Sequence, residues 1–245
     1  MIDLHCHILP GVDVGAPDMD AALEMARMAA GSGVSTIVAT PHCNLPGSDS
    51  KNYRSSYLDD QFSLLQSHIR AAQLPLTVLP GAEVLCTPEV PDLLRQGQLL
   101  TLAGSDYLLL EFFFDESLEY MDDMLQAISA LGITPVIAHP ERYEAVQHTP
   151  HVLQRWFYHD YIIQLNKGSI LGRLGRRAQR TADWILSRGL AHVVASDAHS
   201  PEMRTPDMTQ LYQYLSEVCV PEYVDILLQD NPTRILKNQP ILQAD

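Results

Sequence analysis

His5 and His7 stand two residues apart at the end of the opening segment Ile2-Asp3-Leu4-His5-Cys6-His7, and Asp13 follows in the next stretch. In a β-strand alternate side chains leave opposite faces, so the two imidazoles share one face while Leu4 and Cys6 take the other. Neutral imidazole nitrogen binds borderline divalent ions well, and a carboxylate returning from the following loop would complete the grip. Two histidines beside a polar loop would read the same way, so Asp-x-His-x-His alone is only suggestive. Its weight comes from the other donors along the chain: His42, Glu83, Glu111, His139, Asn166, and Asp197 with His199.

Those donors fall at regular places. Short apolar runs over 1–5, 36–39, 76–79, 107–110, 135–138, 161–165 and 192–195 read as strands, and a donor stands at or just past the end of each. Helices are expected over 17–30, 57–72, 118–131, 151–159 and 176–188, with a short helix or turn over 88–97 and a helical tail over 206–237. Asp18-x-Asp20 resembles the start of an aspartate-based phosphoryl-transfer motif, but it opens a helix, so an N-cap is the better reading. Residues 44–56, rich in Pro, Gly and Ser, read as a mobile polar loop.

Seven short strands separated by helices imply a parallel sheet, and such a sheet closed on itself is a barrel. The expected fold is therefore α/β, a (β/α)7 TIM-like barrel in one domain over residues 1–245. The C-terminal strand ends of such a barrel form its active-site face. A polar residue at one strand exit is commonplace. All seven exits carrying His, Glu, Asp or Asn is harder to attribute to solvation. Five histidines, at least three carboxylates and no required cysteine suit two or three divalent ions of the Mn, Fe, Zn or Co type.

Composition excludes several alternatives. With 46% hydrophobic and 19% charged residues the chain reads as soluble and globular. A net charge of -14 argues against nucleic acid and anionic membrane as partners, because no broad basic surface is available to meet them. No apolar run is long enough to cross a bilayer and no signal peptide precedes the first strand, so the cytoplasm is the expected compartment. Cys6, Cys43, Cys86 and Cys219 form neither a Cys-x-x-Cys pair nor a Cys-x5-Arg motif, which disfavours thiol-based phosphatase chemistry. His68, His148, His151, His159 and His192 read as ordinary, and Arg173, Arg176, Arg177 and Arg180 as a solvated face or a lure for an acidic, phosphorylated partner.

The segments Asp3-x-His5-x-His7, Thr40-Pro41-His42, Gly81-x-Glu83, Glu111-Phe112, Ala138-His139-Pro140-Glu141-Arg142-Tyr143, Gln164-x-Asn166-x-Gly168-Ser169 and Ser196-Asp197-Ala198-His199 occur in order over nearly the whole chain. In them the chain resembles the PHP (polymerase and histidinol phosphatase) superfamily, and within it the manganese-dependent tyrosine-protein phosphatases of bacterial capsule and exopolysaccharide operons. The resemblance implies a distorted seven-stranded barrel with three metals, most readily Mn2+. It implies His5, His7, Glu83 and Asp197 at one ion, and Glu83, Glu111 and His139 at a second, with Glu83 bridging. Asp13, His42 and His199 are implied at the third. One departure bears on that third site. The family usually carries two adjacent aspartates after the first strand; here the second position is Val14, while Asp13 keeps the expected spacing.

Phosphate-ester hydrolysis needs an activated water and a sink for charge on the phosphoryl oxygens. Divalent ions supply the first and share the second with guanidinium groups. Arg142, just past the strand-five donor, and Arg204, just past His199, are placed to clamp phosphate; with His42 and Asp197 they are the candidate catalytic residues, and Lys167 is the next candidate for the clamp. The resemblance implies a phosphotyrosine protein as substrate, in particular an autophosphorylated tyrosine kinase of polysaccharide export. Two other readings stay open: a small-molecule phosphomonoesterase of the histidinol-phosphatase kind, and a non-catalytic metal-bound regulatory module.

Overall fold

The computed structural model describes residues 1–47 and 51–243. Among these residues the apolar runs form nine short strands: β1 (Ile2–Cys6), β2 (Thr36–Ala39), β3 (His42–Cys43), β4 (Thr77–Pro80), β5 (Glu83–Leu85), β6 (Tyr107–Glu111), β7 (Thr134–Ala138), β8 (Ile162–Asn166) and β9 (Val193–Ala195). They lie in two sheets, ordered β1-β2-β4 and β3-β5-β6-β7-β8-β9, and every ladder is parallel. Between and after them run α1 (Met19–Gly31), α2 (Ser56–Ala71), α3 (Val90–Arg95), α4 (Leu118–Ser129), α5 (Glu144–His148), α6 (Val152–Tyr158), α7 (Lys167–Ile170), α8 (Arg176–Leu186), α9 (Thr209–Val218), α10 (Pro221–Asp225) and α11 (Asn231–Leu236). Asp18 caps α1 as expected, accepting the Ala21 N–H at 2.9 Å.

Seven expected strands have become nine because the second and third runs are each broken. Pro41 has no N–H to continue the ladder. Gly81 passes so close to β2 that a Cβ there would lie 2.6 Å from Val38 Cγ1. Past these residues the chain leaves the first sheet for the second, where His42 pairs with Glu83. The break is what sets these two donors side by side.

β1 also departs from simple alternation. Asp3 and Cys6 pair with Ile37 and Ala39, so one extra residue is accommodated between them, a bulge. As a result Leu4 joins the cluster packed among the strands while Cys6 joins the outer core under the helices, rather than sharing a face. The end of β1 lies beside the exit of β9, linked by His7 N–H to Ala198 O and Asp197 N–H to His5 O, both 2.8 Å, and by one isolated bridge, Cys6 to Ala198.

Leu4, Val38, Leu109, Val136, Ile162 and Val193 come from six different strands and pack together, with Ile235 of α11 closing one end. Each is buried, worth about 1.5–3 kcal/mol apiece. The expected loop over 44–56 falls partly outside the described residues. Its described flanks are tied down: Asn44 N–H donates to Lys51 O at 2.9 Å, and Tyr53 Oη donates to Asn44 Oδ1 at 2.8 Å.

His192, just before β9, is a structural histidine. Its Nδ1 accepts the Ile163 N–H at 2.9 Å and its ring stacks on Phe157. Burial pushes its pKa down to about 4. The folded chain thus favours the neutral ring, which stabilises it above the ordinary pKa near 6.5 and ceases to do so as pH falls toward 4. The full effect is at most about 3 kcal/mol. A His192→Asn variant should lose less stability than the parent between pH 7 and 5 in denaturant titrations; equal slopes would contradict this.

Candidate metal centre

The carboxyl ends of the strands converge on one polar cluster. His5 Nδ1 faces Gln164 Oε1 at 3.0 Å, and the Gln164 amide is oriented by donating from Nε2 to Leu165 O at 2.7 Å. His7 Nδ1 faces Asp13 Oδ2 at 2.6 Å. Both partners are acceptors, so each Nδ1 carries the proton and each Nε2 is left with a bare lone pair. Those two Nε2 atoms lie 3.2 Å apart, and each is 3.2 Å from an oxygen of Glu83. Lone pairs aimed at one another and at a buried carboxylate repel unless a cation stands among them. This is the arrangement that a carboxylate-oriented histidine makes for a metal.

Glu83 is the hub. Beyond His5 and His7, its oxygens lie 3.0 Å from His139 Nε2 and 3.4 Å from His42 Nε2. Glu111 stands on the far side, 3.7 Å from His139 Nε2 and 3.8 Å from His42 Nε2. Burial and the nearby Glu83 push the Glu111 carboxyl up to about 8. At His5 burial opposes protonation, but Glu83 and Asp197 outweigh it and raise the ring; at His7 burial is likewise outweighed by the carboxylates of Asp13, Asp197 and Glu83. The cluster therefore draws in positive charge, either as protons or as cations. His199 is held neutral, its pKa lowered to about 3 by burial, His7 and Arg204, which leaves it able to ligate.

Asp197 divides its two oxygens. Oδ2 accepts from Asn166 Nδ2, from Arg204 and, at 3.4 Å, from Arg142. Oδ1 has no hydrogen-bond partner and faces His5 and His199 at 3.5 Å and His7 at 3.6 Å. One oxygen is anchored and the other is presented bare to the histidines. Asp197 and His139 both hold left-handed backbone, φ 49° and 36°. That conformation costs roughly 1–2 kcal/mol at a residue with a Cβ, an expense typical of functional positions. After His139 a 3₁₀ turn, Pro140–Arg142, carries the Arg142 guanidinium to 4.5 Å above the Phe114 ring.

Among the described residues four triads of donor atoms lie within 4.8 Å of one another: His5, His7 and Glu83; His5, His139 and Asp197; His42, Glu83 and Glu111; and His7, His42 and His199. Every expected ligand but Asp13 enters them. Asp13 Oδ2 is occupied by His7 Nδ1, by the His42 N–H at 2.8 Å and by His42 Nδ1 at 3.1 Å, so it stands behind the two imidazoles. Gly15 lets the loop fold back to put it there, since a Cβ at Gly15 would lie 2.1 Å from His7 O. Lys167, expected as a reserve phosphate clamp, is instead buried with its ammonium donating to Thr205 O and, at 2.8 Å, Asp207 O. It fixes the loop that follows Arg204.

Several residues here went unremarked in the sequence. Gln164 orients His5. Tyr143 Oη donates to Ala138 O at 2.7 Å and accepts the Phe112 N–H at 3.1 Å, joining the exits of β6 and β7. Buried Glu141 accepts the Asn166 N–H at 3.1 Å. The signal for each was present as a polar side chain inside a segment quoted for its donors. The four cysteines are free; Cys6, Cys43 and Cys86 are buried, and burial raises all three thiols.

The family of capsular polysaccharide synthesis proteins CpsB/CapC matches residues 1–237. The chain belongs to that family. Among CpsB/CapC relatives, the tyrosine-protein phosphatase YwqE of Bacillus subtilis (strain 168) is 35% identical over 243 residues, covering 99% of this chain and 94% of the relative. The tyrosine-protein phosphatase CpsB of Streptococcus pneumoniae is 30% identical over 246 residues, covering 98% and 100%. A solved structure of the metal-dependent tyrosine phosphatases YwqE from Bacillus subtilis and CpsB from Streptococcus pneumoniae superposes with a TM-score of 0.90 at 34% identity, covering 100% of this chain and 97% of that one. The phosphotriesterase homology protein of Escherichia coli gives a TM-score of 0.62 at 11% identity, which shows the fold alone.

Proposed function

We propose that this CpsB/CapC chain is a metal-dependent phosphatase that hydrolyses phosphotyrosine in proteins, with an autophosphorylated tyrosine kinase of capsular polysaccharide export as its substrate. The observation that carries the reading is the bare Nε2 pair of His5 and His7 against Glu83, beneath a rim where Arg142 and Arg204 both meet Asp197. The donors below favour cations and the guanidiniums above favour a phosphate. The two sheets, joined at β1 and β9, form on this reading a single distorted (β/α)7 barrel domain of the PHP type. The relatives named tyrosine-protein phosphatase support the phosphatase reading.

The donor set contains nitrogen and oxygen but no sulfur, which suits two or three divalent ions, most readily Mn2+, with Fe, Zn or Co as alternatives. His5, His7, Glu83 and Asp197 would hold one, Glu83, Glu111 and His139 a second, and His42 with His199 and His7 a third, with Asp13 orienting His7 and His42 from behind. When bound, such ions lower the pKa of water toward neutrality and draw off phosphoryl charge. The chain's own residues do the rest. Arg142 and Arg204 bind the outer phosphate oxygens and fix the ester in the pocket, which encloses about 230 Å³. Val14 and Phe114, both exposed apolar residues lining that pocket, border the phenol ring. Tyrosinate, with a parent pKa near 10, leaves with little help from an acid.

Among the described residues no helix is long and apolar enough to cross a membrane. Four free thiols fit a reducing compartment, so we place the protein in the cytoplasm. The test compares initial rates of the Mn2+-loaded protein on a phosphotyrosyl peptide and on histidinol phosphate. The peptide should be the better substrate by a wide margin in kcat/KM; a preference for histidinol phosphate would make this a small-molecule phosphatase.

A further inference from the structure

Arg173, Arg176, Arg177 and Arg180 supply four of the chain's sixteen Lys and Arg residues within eight positions, on a protein whose net charge is -14. All four are exposed. Among the described residues none pairs with a carboxylate; Arg173 donates to Gln210 Oε1. Arg176 and Arg177 stand at the start of α8, whose first turn holds no acidic residue and whose N-terminus has no side-chain cap. Cations at that end oppose the helix dipole, so they do not stabilise the helix that carries them. The neighbouring segment 200–207 offers two carboxylates, Glu202 and Asp207, against four guanidiniums.

The placement of this edge is specific. A helix that follows a strand of a parallel sheet runs back against it, so α8 begins on the face where the strands end and the donors lie. Beside it a cavity of about 350 Å³ is lined by Arg173, Leu174, Met203 and Arg204 among others. Arg204 also lines the catalytic pocket, so the two adjoin at its side chain. Met203 is 82% exposed at this rim and offers an apolar side chain beside the arginines.

We propose that this arginine edge is a docking surface for an acidic stretch of the phosphotyrosyl substrate chain, with the residue next to phosphotyrosine seated between Leu174 and Met203. The proposal rests on the phosphatase reading and deepens it: the site selects phosphotyrosines whose flank is anionic. Charge complementarity identifies the occupant. An acidic flank is repelled by most of this surface and attracted here, which orients the substrate as well as holding it.

The test uses the Mn2+-loaded full chain, two phosphotyrosyl peptides that differ only in a flank of three Glu or three Lys, and p-nitrophenyl phosphate. At low salt kcat/KM should favour the acidic peptide by about tenfold, the scale of two or three exposed charge pairs, through KM rather than kcat. The advantage should fade near 0.5 M NaCl, as exposed charges are screened. Arg173→Glu/Arg177→Glu should abolish or reverse it and Arg173→Ala/Arg177→Ala should reduce it, each with wild-type turnover of p-nitrophenyl phosphate. Wild-type protein treating both peptides alike, or a preference that persists in both variants, would overturn the proposal. Loss of p-nitrophenyl phosphate turnover by the wild-type protein would instead strike at the phosphatase reading. In that case fluorescence anisotropy of the labelled acidic and basic peptides still decides the docking edge.

Discussion

Glu83→Gln and His139→Ala should each leave a folded chain that is short of metal and nearly inactive. Glu83 is the more severe, because its two oxygens face His5, His7, His42 and His139 at once. A glutamine keeps the shape but removes the charge and turns one oxygen into an amide donor, which cannot face a cation. His139→Ala removes one imidazole and leaves Glu111 without its neighbour at 3.7 Å. A divalent ion contributes several kcal/mol to stabilising the transition state, so turnover of p-nitrophenyl phosphate should fall roughly 10³-fold or more. Elemental analysis of the purified variants should show fewer bound ions, with far-ultraviolet circular dichroism unchanged. Full metal content with full activity in Glu83→Gln would remove Glu83 from the centre.

The second large effect is expected at the phosphate clamp. Arg142→Ala and Arg204→Ala should lower kcat/KM on a phosphotyrosyl peptide by roughly 10²–10³ each, the usual loss of about 2.7–4 kcal/mol for a donor aimed at developing charge. Metal content should hold, because Asp197 Oδ2 keeps Asn166 and the remaining arginine as partners. Arginine-to-lysine variants should recover only part of the rate, since an ammonium is a point charge and a guanidinium meets two oxygens at once. Arg142 should show the larger deficit. It is fixed between Asp197 and the Phe114 ring, whereas Arg204 is more exposed and reaches the site from a loop. Wild-type rates in both alanine variants would place the clamp elsewhere, and Lys167 is no longer available for it, its ammonium being spent on Thr205 and Asp207.

What the sequence carried well were features with a period. Apolar runs of four or five residues alternating with helical stretches gave the strand order, and the donor following each run gave the face on which the centre lies. Gly and Pro events were harder to weigh. Pro41 and Gly81 read as strand ends, whereas each marks a break where the chain changes sheets and brings His42 to Glu83. The bulge in β1 was hidden for a similar reason: alternation holds only while the ladder keeps register, and Asp3 to Cys6 does not.

Residue type also underdetermined role. Asp13 has the spacing of a ligand, and a carboxylate can serve a metal directly or hold the histidine that does; the Gly15 fold-back sets its Oδ2 against His7 and His42. Lys167 has the charge of a clamp, but its direction is set by the short helix after β8 and by two carbonyls some forty positions away. Long-range partners of this kind leave no local pattern. Gln164 and Tyr143 are further cases, each placed by strands whose pairing is not written in neighbouring residues.

On the proposed function, the converging histidines and carboxylates hold the divalent ions on which phosphotyrosine hydrolysis depends. The most direct measurement strips the purified protein with a chelator, restores Mn2+ stepwise, and follows bound metal per chain alongside phosphate release from a phosphotyrosyl peptide. The stripped protein should be folded and inactive, with activity returning as two or three ions bind. Undiminished phosphate release from protein holding only traces of metal would contradict it.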